Sequence, residues 1–187
     1  MDKYQVAQET YKRLIKRVSS ISNEYAYSKN LVIDNANFYL TPKKNWLNKA
    51  KYKEYSYGRF VGELDSEGNR QGMGVMLWNN GDIYLGEWFL DKMWDDEEGI
   101  KLQNHDNGLY IGGFLNNELN GHVYVHYPPG YCEYYEAVFK GGKVSNMKRE
   151  RYADGVVRNS NTESGGGWCG CLIVIIIIMV IISTIGR

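Results

Sequence analysis

Between Phe60 and Phe139 apolar side chains fall at alternate positions, the period of a pleated strand, and Gly, Asn and Asp interrupt the runs. The stretch GDIYLGEWFLDK, residues 81–92, sets Tyr84, Gly86 and Trp88 two apart, so all three share one face of an extended chain. That spacing recurs. FVGEL begins at Phe60, YLGEW at Tyr84, YIGGF at Tyr110 and YEAVF at Tyr135, at intervals of 24 to 26 residues. Each unit continues with a polar turn and a second alternating stretch. That stretch carries Gly72 and Gly74 in the first unit and Gly121 in the third, while the Tyr84 unit has Asp95 and Glu97 there. The pattern predicts antiparallel hairpins, two strands per unit, stacked side by side. A glycine between two rings leaves a notch for a ring of the next strand, and one hairpin alone cannot bury its apolar face.

Ahead of this region the period changes. Tyr4, Ala7, Tyr11, Leu14, Val18, Ile21 and Tyr25 step by three and four, which predicts one amphipathic helix over roughly residues 2–27. Its seam suits a lid on the sheet or a second helix, and the small Ala7 and the polar tyrosines favour the lid. Then Lys43, Lys44, Lys49, Lys51 and Lys53 are interleaved with Trp46, Leu47 and Tyr52. That mixture suits anionic headgroups with shallow ring insertion; the plain alternative is a solvated helix leading into the first strand.

At the C-terminus alternation gives way to continuous hydrocarbon. Trp168 to Ile185 holds 18 residues without a charge. As a helix this run reaches about 27 Å, enough for a thin bilayer such as that of the endoplasmic reticulum. Trp168 suits the headgroup level, and Cys169 and Cys171 are candidates for palmitoylation. The expected layout is a helical and basic segment at 1–57, a sheet at 58–157, a linker at 158–167 and a tail anchor at 168–185. Basic residues just before the span, with no secretory signal ahead, keep the N-terminal domain cytosolic in a single-pass protein.

Composition sharpens this picture. The net charge of zero conceals +7 over residues 1–59, −11 over 60–139 and +4 over 140–187. An acidic centre excludes a nucleic-acid surface there, while basic ends suit an anionic membrane. Cys132, Cys169 and Cys171 form no disulfide framework. The best enzyme-like feature is WDDEEGIKLQNH, Trp94 to His105, whose carboxylates and histidine raise the question of a metal. Consecutive acids cannot converge on one point, and a solvated acidic turn is the expectation. His122 and His126 share a strand face but stand about 13 Å apart, too far for one metal. No nucleophile elbow, P-loop or dinucleotide fingerprint occurs, so the reading is a non-enzyme without cofactor or metal.

The order Y-x-G-x-W, then G-x-G, then a glycine before the next aromatic resembles the MORN-repeat family over residues 58–157. The residues that carry it are Phe60, Gly62, Gly72, Gly74, Tyr84, Gly86, Trp88, Tyr110, Gly112, Phe114, Gly121 and Tyr135. The resemblance implies a single-layer antiparallel β-meander of three to four hairpin repeats; with the helix and the run read above, the expected fold is mainly β with an N-terminal α-helix and a C-terminal transmembrane helix. A Gly- and Tyr-rich β-sandwich is the competing arrangement. Repeats followed by a span also look like the junctophilin architecture, which implies a scaffold or tether meeting a protein partner or an apposed membrane. The alternative is a module binding anionic lipid, phosphoinositide by family precedent, through Lys43, Lys44, Trp46, Lys49, Lys51 and Lys53.

Overall fold

Eleven strands make one open antiparallel sheet in the computed structural model, which describes residues 1–41, 45–128, 132–152 and 156–159. In chain order they are β1 (Lys51–Tyr55), β2 (Gly58–Leu64), β3 (Arg70–Trp78), β4 (Ile83–Phe89), β5 (Lys92–Met93) and β6 (Asp95–Leu102). There follow β7 (Leu109–Leu115), β8 (Glu118–His126), β9 (Cys132–Lys140), β10 (Lys143–Tyr152) and β11 (Val157–Asn159). Spatial order follows sequence order, except that the short β5 pairs only with β4. The competing sandwich is therefore not formed. The sheet runs on to Asn159, two residues into the expected linker. The rest of the linker and the tail lie outside the described residues; among the described residues no helix is long and apolar enough to cross a membrane.

The sequence period becomes a register. Gly62 stands opposite Gly74, and Gly74 opposite Gly86, so one glycine row crosses three strands. Farther along, Gly99 pairs with Gly112. The notches are full, but not only as the alternation implied. A Cβ on Gly74 would lie 2.4 Å from the Phe60 ring of the neighbouring strand, as predicted. A Cβ on Gly62 would meet that same ring at 2.5 Å, and one on Gly86 would lie 2.6 Å from the Tyr84 hydroxyl. Each ring thus lies back over the glycine of its own strand as well. The rings then meet edge to face: Phe60–Trp88 at 5.6 Å, Tyr84–Trp88 at 5.2 Å and Tyr84–Phe114 at 5.1 Å. Such pairs add about 1 kcal/mol each beyond the area they bury.

The hairpin ends repeat too. Leu90–Asp91, Asn116–Asn117 and Gly141–Gly142 all carry two successive positive φ angles, the signature of two-residue turns matched to strand twist. Asn and Gly adopt that conformation at little cost; Leu does not.

Helices cover the opposite face. α1 (Lys3–Ser19) starts with a capping box in which Asp2 accepts from the Gln5 amide and Gln5 answers at the Asp2 amide. The predicted helix to residue 27 is corrected to two helices, α1 and α2 (Ala26–Tyr39), joined by a 3₁₀ turn at Asn23–Tyr25. Serines break it: the Ser20 hydroxyl donates to the Arg17 carbonyl at 2.7 Å, and Ser22 accepts from the Glu24 amide at 3.4 Å. Ile21 and Tyr25 stay buried, so the seam continues across the break. Val6, Ala7, Leu14, Val18, Val32 and Ala36 form one core with Val61, Val75, Leu85, Ile100 and Ile111 of the sheet. The seam therefore lies on the sheet, with Tyr4 alone left exposed at its start. A short α3 (Asn45–Lys49) leads into β1, and the sheet begins at Lys51 rather than at the expected residue 58.

Arginines one turn apart fasten α1 to the strand ends. Arg13 donates to the Gly81 carbonyl and, at 3.3 Å, to Asn104 Oδ1. Arg17, buried, donates to the Asn107 carbonyl at 2.8 Å, the His126 carbonyl at 2.8 Å and Ser20 Oγ at 2.9 Å. Replacing Arg17 with Met leaves the buried His126 carbonyl, and the part-buried Asn107 carbonyl, without this donor. The expected loss is about 3 kcal/mol in urea unfolding of the full chain. Arg17→Lys recovers only part of it, because an ammonium cannot match the guanidinium fork.

Candidate functional site

The aromatic residues read from the repeats are packing groups. Phe60, Tyr84, Trp88, Tyr110, Phe114 and Tyr135 are all buried, in a cluster separate from the one under the helices. Burial pushes the Tyr84 hydroxyl up, with Asp95 and Glu87 adding to it, and the hydroxyl donates to the Glu87 carbonyl at 3.1 Å. Burial also raises Tyr110, whose hydroxyl lies 2.9 Å from that of Tyr127. Neither phenol is poised to act as a base. Lys101 stands in register between Tyr84 and Tyr110, and burial lowers it while Asp82 and Asp106 oppose the shift. Glu150, opposite Tyr135, accepts from the Tyr152 hydroxyl at 2.7 Å.

The basic segment divides. Lys43 and Lys44 lie outside the described residues, as do Trp168, Cys169 and Cys171. Trp46 packs edge-on against Tyr39 at 5.2 Å and donates to Glu63 Oε1 at 3.4 Å, and Leu47 is buried. Lys53 donates to the Gly68 carbonyl at 2.6 Å, whereas Lys49 and Lys51 face solvent on α3 and β1.

His105 is exposed, and the other two histidines are held by neighbouring side chains. His122 Nε2 lies 2.7 Å from Glu136 Oε1 on the next strand. His126, 2 % exposed, has Nε2 at 2.8 Å from the Ser28 hydroxyl and its ring against Tyr25 and Tyr134. Burial, and then the nearby Arg17, lower its pKa to about 3. Ser28 can donate its single proton to the Tyr25 carbonyl at 3.2 Å, and the neutral ring is then the Nε2–H tautomer.

The acidic run requires a correction. It is not a turn: Asp95 opens β6, and a bulge separates it from Gly99. Asp95 Oδ1 accepts from the Glu98 amide at 2.8 Å and Oδ2 from the Glu87 amide at 3.0 Å, so this carboxylate shapes the bulge. Asp96, Glu97 and Glu98 are exposed on it. Burial raises Glu87, and Asp95, Asp96 and Glu63 raise it further, which marks a concentrated negative field. Among the described residues no group of three or more His, Cys, Asp or Glu is arranged to hold a metal.

The surface that sequence reasoning missed adjoins this field. Phe89, Leu90, Trp94 and Leu115 are 44, 56, 36 and 36 % exposed. Phe89 and Trp94 touch at 5.4 Å, and the pairing of Asp95 with Phe114 brings Trp94 beside Leu115. The available signal was FLDK at a hairpin end where the later units read LNNE and KGGK. Elsewhere, a hollow of about 330 Å³ opens between the start of α1 and the end of α2. Its one carboxylate, Asp2, is already occupied as the α1 cap.

No protein-family model matches the chain, and no curated protein matches it.

Proposed function

We propose that the chain is a membrane-anchored scaffold of the MORN-repeat type, non-catalytic, displaying a cytosolic sheet to a protein partner. The supporting observation is the agreement between the 24- to 26-residue period and the sheet register, with its aligned glycine row and recurring two-residue turns. The repeat rings Phe60, Tyr84, Trp88, Tyr110, Phe114 and Tyr135, with His126 and Glu150, go into packing, and this favours a rigid display surface over a reaction centre. The uncharged run from Trp168 to Ile185 supplies the anchor. Residues 160–167 separate sheet from run and reach at most about 29 Å when extended, so the domain works close to its own bilayer. With Trp46, Leu47 and Lys53 engaged within the fold, binding of anionic lipid draws less support.

A fluorescent fusion in cells tests the anchor. The full chain is expected on an intracellular membrane and resistant to alkaline carbonate, while a chain cut before Trp168 spreads through the cytosol. Release of the full chain by carbonate ends this reading.

A further inference from the structure

Ile83, Leu85, Glu87 and Phe89 share one face of β4, and the first two lie in the core beneath the helices. Phe89 is therefore on that same face but beyond the helical cover. Trp94 and Leu115 extend it across the neighbouring strands, and Leu90 projects from the hairpin end. The result is an exposed apolar stripe at one end of the sheet. Glu87, Asp96, Glu97 and Glu98 border it on β4 and β6. Lys92, at the rim, donates to Asn116 Oδ1 at 3.3 Å.

Leu90 is out of place there. It holds φ +48, and Asp91 follows at +65. The two later hairpins fill the same positions with Asn116–Asn117 and Gly141–Gly142, which take that backbone without strain. The strained turn is clamped from β3. The Asp91 carboxylate accepts from the Arg70 amide at 2.9 Å and from its Nε at 2.8 Å, and Arg70 Nη2 donates to the Asp91 carbonyl at 2.8 Å. Trp88 holds that guanidinium at 4.2 Å. A backbone held in an unfavourable region by its surroundings, ending in an exposed leucine, is a feature maintained against stability.

We infer that the stripe of Phe89, Leu90, Trp94 and Leu115 docks a partner polypeptide whose apolar side chain is flanked by Lys or Arg. The apolar centre supplies the contact for the anchor side chain and the acidic border sets the partner's charge. Anionic headgroups would be repelled by the same border, which sets a protein segment ahead of a membrane. This inference rests on the scaffold reading and names the surface that the scaffold uses.

The test places the full chain in nanodiscs of phosphatidylcholine, with empty discs as the blank. The probe is a labelled nine-residue peptide of lysines with two central leucines. Saturable binding is expected. Phe89→Ser with Trp94→Ser weakens it about tenfold, and Glu97→Gln with Glu98→Gln does the same. Leu90→Gly has two opposed effects, raising the melting temperature by a few degrees while weakening the peptide. The inference falls if the peptide does not bind, or if a lysine–serine peptide binds equally well. It also falls if Leu90→Gly lowers the melting temperature. Self-association of the discs, or their capture by phosphatidylserine vesicles, lost in the Phe89→Ser/Trp94→Ser chain, would give the stripe to a second copy or to a membrane and equally overturn it. None of these variants alters carbonate resistance, so failure here is separable from failure of the anchor.

Discussion

Gly112→Ala is expected to cost about 3 kcal/mol or more, a large share of the roughly 5–15 kcal/mol typical of a folded domain. Two effects coincide. Gly112 has φ +148, where a side chain is strained, and its Cβ would lie 2.2 Å from the His122 carbonyl oxygen and 2.8 Å from Val123 Cα. Both atoms are backbone of β8, which cannot yield without opening the pairing of Gly112 with Val123. Gly121→Ala is the matched comparison. It carries φ +76, but its nearest neighbour is the Asp96 carbonyl at 3.8 Å, so only the conformational cost of about 1 kcal/mol applies. Urea midpoints of the two chains measure the difference. Equal midpoints would mean that β7 and β8 are not in the register described.

Acid is expected to weaken the fold through His126. Its folded pKa of about 3 is below the ordinary 6.5, so the unfolded chain binds the proton first. The stabilisation is whole above pH 6.5 and drains away as pH falls from there towards 3. Between pH 6.5 and 4.5, above the range where most carboxylates titrate, the loss is about 2.5 kcal/mol. Protonation would place a second cation beside Arg17, on a ring only 2 % exposed among Tyr25, Tyr134 and the Ser28 hydroxyl. His126→Gln should start less stable at pH 7 and show a flatter profile over the same interval. A wild-type chain with no steeper slope than the variant would place His126 in contact with solvent.

Much of the sheet was legible because its period is written in residue types that have few alternatives. Tyr84, Gly86 and Trp88 fit a strand face and little else, and Asn116–Asn117 and Gly141–Gly142 announce their turns. Alternation cannot show which way a ring lies, so the folding of Tyr84 back over its own Gly86 was invisible. The second helix was missed for a related reason. Leu31, Val32, Ile33, Ala36, Phe38 and Tyr39 surround α2 instead of lining one side, so no periodic stripe announces it. Asp95 read as part of a charge run because four neighbouring acids look alike until one of them caps a bulge. The exposed Phe89–Leu115 stripe also escaped notice: Phe89 and Leu115 end ordinary strands, and Leu90 holds a turn position that the later units give to Asn and Gly.

The arginine contacts of α1 make that helix a caliper. Lys3 reaches the Ala50 carbonyl just ahead of β1, and Arg17 reaches the end of β8, so a single rod is gauged against most of the ribbon's width. Splicing another hairpin between Gly81 and Asn104 would widen the ribbon by about 10 Å, two strand spacings, far beyond what one side chain can bridge. Tyr25 and Glu24, just past the rod, add a stop at the far side by stacking on Tyr134 of β9 and holding Arg151 of β10, so growth of the array is confined to the edge beyond β10.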